Sequence, residues 1–194
     1  MGNLIDMPPH RRTRPDTSSP PAAGGFDVPE QSPPVPLDEV DRRILVLLSE
    51  DSRRSQRALA RELGMSAPAV RERIGRLERL GVIRGYGVRL DWSAAGYPMT
   101  VYLSISAVQG YQQSEIVDQI ARMPEVEWLD IVTGGIDMLA RLRVRDHAHL
   151  RQVLVEQIWK LEGVQRTETS LAIVEIEPRN LVAELLSAPP DDQE

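Results

Sequence analysis

The chain between residues 55 and 83 carries two short apolar stripes at helical spacing, separated by Gly64. Each stripe repeats every three or four residues, which predicts one buried face on each of two helices. Gly64 stands where a helix C-terminus favours positive φ, and Ser66 stands where the second helix needs an N-cap. The stripes consist of Leu59, Ala60 and Leu63 in the first helix and of Val70, Ile74, Leu77 and Leu80 in the second.

A third amphipathic segment precedes these two, with Asp38 as its N-cap and apolar residues at 40, 44, 47 and 48. The sequence therefore predicts a bundle of three helices, the last of which carries arginines on its outer side. Two short helices at an angle, with a basic second helix, form the helix-turn-helix arrangement that fits the major groove of B-DNA. A solvated helix with charged residues is the alternative interpretation of the arginines.

We expect the start of the last helix to reach base edges, while the other arginines contact phosphates. The base-reading candidates are Ser66, Ala67, Pro68, Arg71 and Glu72. The phosphate-binding candidates are Arg73, Arg76 and Arg79, together with Arg53, Arg54 and Arg57 from the preceding turn and helix start.

Beyond residue 98 the pattern alternates between strands and helices. Period-2 alternation predicts strands over 99–108, 126–132, 136–144 and 164–176, and helical spacing predicts helices over 114–123 and 146–161. The order β-α-β-β-α-β is that of a ferredoxin-like domain. The fold class is therefore α+β. We predict an N-terminal winged helix-turn-helix domain over 37–90, with a short strand or wing at 82–90, a linker at 91–98, the ferredoxin-like domain over 99–177 and a C-terminal tail at 178–194.

Charge is divided between the two predicted domains. The whole chain has a formal net charge of −6, which alone argues against a nucleic-acid partner. Residues 37–90, however, hold 12 arginines against 8 acidic residues, whereas residues 91–194 hold 8 basic and 17 acidic residues. A basic segment in an acidic chain is the electrostatic footprint of a DNA-binding domain, so we predict double-stranded DNA as a partner.

Composition excludes several other classes of function. Without cysteine there is no disulfide framework and no thiolate metal site. Apolar runs long enough for a membrane span and an apolar N-terminal leader are both missing, so a cytoplasmic protein is expected. His147 and His149 are two residues apart at a helix start and face different sides, so we predict no metal site. The sequence shows no catalytic spacing and no cofactor-binding motif, and we expect no enzyme activity.

Residues 1–36 contain nine of the fifteen prolines and few large apolar residues. Such a segment buries too little surface to offset the entropy of ordering it, which predicts a disordered arm.

The loop between the second and third predicted strands allows two interpretations. It is either a hairpin turn, in which glycines supply positive φ, or a site for a small zwitterion. In the second case backbone N–H groups bind a carboxylate and Asp137 binds an ammonium group. The effector-binding candidates are Thr133, Gly134, Gly135, Ile136, Asp137 and Met138.

Three segments of the chain resemble the Lrp/AsnC family of feast/famine transcription regulators, namely residues 37–53, 59–91 and 132–144. The first two resemble the family's winged helix-turn-helix, and the third resembles the signature loop of its effector domain. The resemblance implies a transcriptional regulator that binds an amino-acid effector at this loop, between subunits. It also implies a homo-dimer, formed through the open face of the sheet, that assembles into octamers or similar closed rings.

Two other functions share parts of this pattern. Tetrapyrrole (sirohaem) decarboxylases resemble the same two-domain plan, and would need His or Arg side chains around a large basic pocket. An architectural DNA-binding protein would share the basic helix and differ only in its preference for one sequence over others.

Overall fold

Three helices form the N-terminal domain of the computed structural model, which describes residues 33–187. They are α1 (Glu39–Glu50), α2 (Gln56–Leu63) and α3 (Ala67–Arg79). The Asp38 and Ser66 side chains cap α1 and α3 as predicted, and Gly64 ends α2 with a φ of 64°. The three apolar stripes meet in one core, whose most buried members are Ile44, Leu47, Leu59, Ala60, Val70, Ile74 and Leu77.

A buried carboxylate joins α1 to α3. The Asp41 side chain is 1% exposed, and its two oxygens accept hydrogen bonds from Arg73 at 2.9 Å and from Arg76 at 2.8 Å. Asp41 also belongs to a capping box, in which its amide donates to Asp38 and its carboxylate accepts from the Asp38 amide. This cluster of charges fixes the start of α1 against the middle of α3.

The chain leaves α3 through a glycine turn and then runs extended. Gly81 adopts a φ of 71°, and the amides of Val82 and Ile83 both donate to the Leu77 carbonyl. Of the two alternatives for residues 82–90, a short strand or a wing, the strand is corrected, because residues 84–90 have no sheet partner among the residues that the structure describes. In the predicted linker, residues 92–96 form a turn that brings the Trp92 ring over Arg143, 5.4 Å from its guanidinium carbon.

The second domain is built on a four-stranded antiparallel sheet. Its strands are β1 (Met99–Ala107), β2 (Val126–Ile131), β3 (Met138–Val144) and β4 (Val164–Leu171). They lie in the order β2-β3-β1-β4. The helices are α4 (Gln113–Ile120) and α5 (His147–Gln152), and α5 continues as a π-helical turn (Val153–Gln157) and a 3₁₀ turn (Ile158–Lys160). This order and topology confirm the ferredoxin-like prediction.

The helices cover one face of this sheet. Alternate residues of the two central strands are fully buried against them, and the register places Leu103 of β1 beside Ala140 of β3. The core of this domain consists of Val101, Leu103, Ile105, Ile116, Ile120, Met138, Ala140, Leu142, Val144, Leu150, Val153, Leu154 and Ile158.

The last strand is shorter than its apolar pattern predicts. It ends at Leu171 instead of Ile176, after which only the Ala172 amide still donates to the Thr100 carbonyl. The neighbouring strand begins at Met99, directly after Pro98, which has no N–H to offer a longer ladder. Residues 172–180 therefore leave the sheet as an irregular segment.

The predicted C-terminal tail contains a further helix, α6 (Leu181–Ser187), which the sequence analysis missed. It packs against α1, and Asn180 donates a hydrogen bond to the Ser49 hydroxyl at 3.0 Å. Residues 1–32 of the predicted arm lie outside the described residues. Its last residue, Pro36, accepts a bond from Arg76 through its carbonyl.

Replacing Asp41 with alanine should destabilise the N-terminal domain. The substitution removes the carboxylate that Arg73 and Arg76 share, leaves Arg73 with Asp38 alone, and removes half of the capping box. Because both guanidinium groups are partly exposed, we expect a loss of about 1–3 kcal/mol in the free energy of unfolding. Urea denaturation followed by circular dichroism measures this. Glu39→Ala, an exposed acid in the same turn, is the matched control, and equal unfolding curves for the two variants would contradict the assignment.

Candidate nucleic-acid interface and ligand loop

The outer side of α3 presents a stripe of exposed residues opposite the buried one. Pro68, Arg71, Glu72 and Arg79 lie along it and are all exposed. Their spacing of three, four and seven residues keeps them on one face of a helix with 3.6 residues per turn. Four of the predicted DNA-contacting residues thus lie on one accessible surface, which we call the outer stripe. The other two base-reading candidates, Ser66 and Ala67, stand at the start of the same helix.

Within the outer stripe, Arg71 is held by a residue that the sequence analysis did not single out. Its Nε donates a hydrogen bond to Oε1 of Gln56 at 2.9 Å. Gln56 is the first residue of α2 and lies 15 positions away in sequence. No local spacing signals such a contact, because it depends on the angle between the two helices.

Three of the predicted phosphate ligands form ion pairs with carboxylates of the protein itself. Arg73 and Arg76 bond to Asp41, and Arg73 also bonds to Asp38 at 2.6 Å. Arg54 pairs with Glu62 at 2.7 Å and with Glu50 at 3.2 Å. These three arginines therefore join helices within the domain, and their role as phosphate ligands stays a prediction. The hydrogen bond from the Asp41 amide and the Arg73 guanidinium lower the pKa of Asp38, which keeps its carboxylate charged.

The remaining candidates carry free positive charge. Arg53, Arg57 and Arg79 are exposed, and within residues 33–187 their side chains make no ion pair and no hydrogen bond. Arg53 lies in the turn before α2, Arg57 lies in the first turn of α2, and Arg79 is the last residue of α3. Together with Arg71 they are exposed cationic groups that no carboxylate of the described residues compensates.

Tyr86 anchors the extended segment after α3. Its hydroxyl donates to Glu78 of α3 at 3.0 Å. Partial burial and this hydrogen bond raise the pKa of Tyr86 to about 12, so the phenol stays protonated at neutral pH. The segment that carries Arg84 and Arg89 is thus tied to the helix that carries the outer stripe.

The loop between β2 and β3 is a hairpin connection, as the first interpretation predicts. Thr133, Gly134 and Gly135 are exposed, and Ile136 and Asp137 are half-buried. Gly134 has a φ of 126°, a conformation that residues with a side chain avoid. Within residues 33–187 the amides of Thr133, Gly134 and Gly135 donate no backbone hydrogen bond, whereas the Asp137 amide donates to the Ile105 carbonyl.

The Asp137 carboxylate has two partners within the chain. One oxygen accepts from the Ala107 amide at 2.8 Å, and the other accepts from the side-chain amide of Gln113 at 3.0 Å. These bonds tie the loop to the end of β1 and to the start of α4. Each carboxylate oxygen keeps a second lone pair that can accept a further hydrogen bond. Met138, by contrast, is fully buried in the sheet core, and its assignment as an effector contact is corrected.

The open face of the sheet carries a network of charges. Arg143 is 8% exposed and pairs with Glu127 at 2.8 Å and with Glu175 at 2.6 Å. Arg141 reaches Glu175 at 2.8 Å, and Thr100 also accepts a bond from Arg143. These arginines are neutralised by carboxylates.

The two histidines differ in burial and in partners. His149 is buried, with Nε2 3.0 Å from Glu125, whereas His147 is exposed. With His149 and the sheet arginines paired to carboxylates, the large basic pocket that a tetrapyrrole decarboxylase needs is not favoured by this geometry. Residues 33–187 contain no group of three metal-ligating side chains. None of the helices in that range is both long and apolar enough to cross a membrane.

Both domains match families of known proteins. Residues 37–84 match a family model for a winged helix-turn-helix DNA-binding domain, and residues 100–182 match the model for the Lrp/AsnC ligand-binding domain. An uncharacterised HTH-type transcriptional regulator of Pyrococcus abyssi is 38% identical over 137 residues, which are 71% of this chain and 86% of the relative.

Solved structures show the same fold. Escherichia coli AsnC superposes with a TM-score of 0.71 at 22% identity, over 75% of this chain and 97% of AsnC. The leucine response regulatory protein LrpA of Mycobacterium tuberculosis superposes with a TM-score of 0.65 at 27% identity, over 73% of this chain and 96% of LrpA. The chain therefore belongs to the Lrp/AsnC family of DNA-binding transcriptional regulators and carries that family's ligand-binding domain.

Proposed function

We propose that this regulator recognises a specific DNA sequence by placing α3 in the major groove, with Arg71 on a base edge. The outer stripe carries this proposal, because it combines an exposed arginine at the start of the helix with a second one, Arg79, at its end. Arg53 and Arg57 lie beside it and contact phosphates. The bonded arginines, Arg54, Arg73 and Arg76, orient the helices.

We further propose that the protein works in the cytoplasm and through binding alone, with no catalytic step. Free cationic side chains are concentrated on the N-terminal domain, where the local net charge is positive within an acidic chain. The acidic remainder repels DNA and so favours approach through the helix-turn-helix.

Replacing Arg71 should reduce sequence preference, whereas replacing Arg79 should weaken binding to all duplexes alike. A bidentate contact from arginine to guanine contributes about 1–3 kcal/mol of discrimination, or roughly five- to 150-fold in affinity. A phosphate contact instead contributes about one unit to the slope of log affinity against log salt. Mobility-shift titrations over salt measure both, on a duplex selected by the full-length wild-type protein from a randomised library and on single-base variants of it.

The same titrations contain the contradicting outcomes. Unchanged discrimination in Arg71→Ala removes this residue from base recognition. Failure of the wild-type chain to select any preferred duplex would instead support an architectural DNA-binding protein. Arg122→Ala, in the C-terminal domain, is the control for loss of an exposed positive charge away from α3.

For the second domain, we propose a small amino acid as the effector, bound at residues 133–137. Exposed glycine amides next to a carboxylate suit the two charges of a zwitterion. Ala107 and Gln113 support this by holding the Asp137 carboxylate in one orientation. The name of the relative LrpA, a leucine response regulatory protein, supports an amino acid as the ligand class.

Asp137→Asn should preserve the fold and weaken the binding of the effector. If Gln113 turns its amide, its oxygen can accept from the NH₂ group of the new side chain, whose own oxygen keeps the bond from Ala107. The lost charge-assisted bond to an ammonium group costs about 1.5–3 kcal/mol, roughly ten- to a hundredfold in affinity. Calorimetry with each of the twenty amino acids tests this, with Asp130→Asn, an exposed aspartate of β2, as control. Equal affinity of wild type and Asp137→Asn would reduce Asp137 to a turn residue, and no binding by wild type would exclude amino acids as the ligand class.

We also propose a homo-dimer that builds octamers or a similar closed ring. Two extended segments, residues 84–90 and 172–177, expose aliphatic side chains: Val88 is 84% exposed, Ile173 is 97% exposed and Ile176 is 89% exposed. An ion pair joins the two segments, with 3.5 Å between Nη2 of Arg89 and Oε2 of Glu177. A surface of this kind, with strand-like alternation and no sheet partner among the described residues, is suited to a second copy of the chain.

Replacing Ile173 and Ile176 with serine should dissociate the assembly. Burying each isoleucine in an interface contributes about 1.5–3 kcal/mol, so the double variant should weaken self-association by at least about a hundredfold. Sedimentation velocity over a range of concentrations measures the change. Val108→Ser, which removes an exposed aliphatic group outside the two segments, should keep the wild-type distribution. An unchanged distribution in the double variant would place the interface elsewhere.

A further inference from the structure

The bond between Gln56 and Arg71 connects the two helices of the helix-turn-helix at their exposed edge. Gln56 is half-buried at the start of α2, and Arg71 is exposed in the second turn of α3. The bond runs from Nε of the guanidinium group to the amide oxygen at 2.9 Å, which is a good hydrogen-bond length. The core of the domain does not depend on it, since neither side chain belongs to the buried cluster.

This contact uses one donor of the guanidinium group and leaves the others available. Arginine has five N–H donors in a rigid planar fork. Nε–H is bonded to Gln56, and the Nη groups have no partner within residues 33–187. Two of these remaining N–H donors suffice for a bidentate bond to O6 and N7 of guanine. The contact therefore orients the plane of the guanidinium group and leaves its two Nη groups available for a base.

The chemistry of the partner separates Arg71 from the other bonded arginines of this domain. Arg54, Arg73 and Arg76 all pair with carboxylates, which neutralise them. Arg71 is bonded to a neutral amide, which leaves its positive charge uncompensated. An acceptor without charge is what a DNA-facing arginine needs, because a carboxylate at this place would repel the phosphates of the duplex.

We propose that Gln56 is a positioning residue that sets the sequence preference of this regulator by fixing Arg71 before DNA binds. Arginine has a large side-chain entropy, and a guanidinium group that is already oriented loses less of it when it meets a base. The effect falls on the one base pair that Arg71 contacts, and it leaves the phosphate contacts unchanged. This inference rests on the proposed base-reading role of Arg71.

A double-mutant cycle on the full-length protein tests the proposal. The probe is the duplex that wild type selects from a randomised library, with single-base variants of it. Gln56→Ala should reduce discrimination about three- to tenfold at the base pair whose preference Arg71→Ala abolishes, and at no other position. In the Arg71→Ala background, Gln56→Ala should have no further effect on discrimination, because the residue acts only through Arg71.

Two further variants separate positioning from a general structural or electrostatic role. Gln56→Glu keeps an acceptor for Nε, so it should retain the discrimination ratio while it lowers the affinity for all duplexes. Arg57→Ala, in the same turn of α2, should lower affinity for all duplexes and flatten the salt dependence without changing discrimination.

Each other outcome identifies which proposal fails. If Arg71→Ala reduces discrimination and Gln56→Ala does not, the positioning role is wrong and the proposed function stands. If Gln56→Ala weakens all duplexes equally, or lowers the melting temperature together with discrimination at every position, Gln56 is a structural residue only. If Arg71→Ala leaves discrimination unchanged, the base-reading role itself is wrong.

Discussion

The buried Asp41 carboxylate is the constraint on which the DNA-facing surface depends. Its bonds to Arg73 and Arg76 turn one side of α3 toward α1. Because each residue of a helix is rotated by a fixed angle from the one before, this choice also decides which residues point outward. Pro68, Arg71 and Arg79 face solvent for that reason. The apolar stripe alone would tolerate some rotation of the helix, whereas two hydrogen bonds to one carboxylate do not.

Arginines therefore serve two purposes in one small domain, and their partners distinguish them. Those that pair with carboxylates, such as Arg54 with Glu62, join helices, and the carboxylate compensates their positive charge. Those that meet an amide or no group within the described residues, such as Arg71 and Arg57, keep their charge for a partner outside the protein. Counting arginines along the sequence cannot separate the two kinds, because their partners lie far away in the chain.

Local signals account for the parts of the fold that the sequence predicted. Ser66 and Gly64 mark helix ends because capping involves neighbours within four residues. Alternation over 99–107 identifies a strand because its large apolar side chains fall on the face that the helices cover. The partners of Arg73 and Arg76 were missed because Asp41 lies 32 and 35 residues away. The end of β4 was not predicted for the same reason, because the residue that limits this strand, Pro98, precedes the neighbouring strand β1 and is distant in sequence.

Candidate site residues divide in the same way. The exposure of Arg71 follows from helical spacing, and the sequence predicted it. The bond to Gln56 requires the angle between α2 and α3, and the burial of Met138 requires knowing where the hairpin ends and the sheet begins. Both depend on tertiary packing, which no window along the chain contains.

The two domains are connected at the open face of the sheet as well as along the chain. Arg143 meets the linker through Trp92 and meets the C-terminal segment through Glu175. That segment continues into α6, which packs on α1 of the DNA-binding domain. A ligand changes a regulator only if it binds two arrangements with different affinity. Arg143 therefore contacts both segments that join the sheet to the DNA-binding domain, the linker and the C-terminal segment, and any second arrangement would have to keep or exchange these contacts.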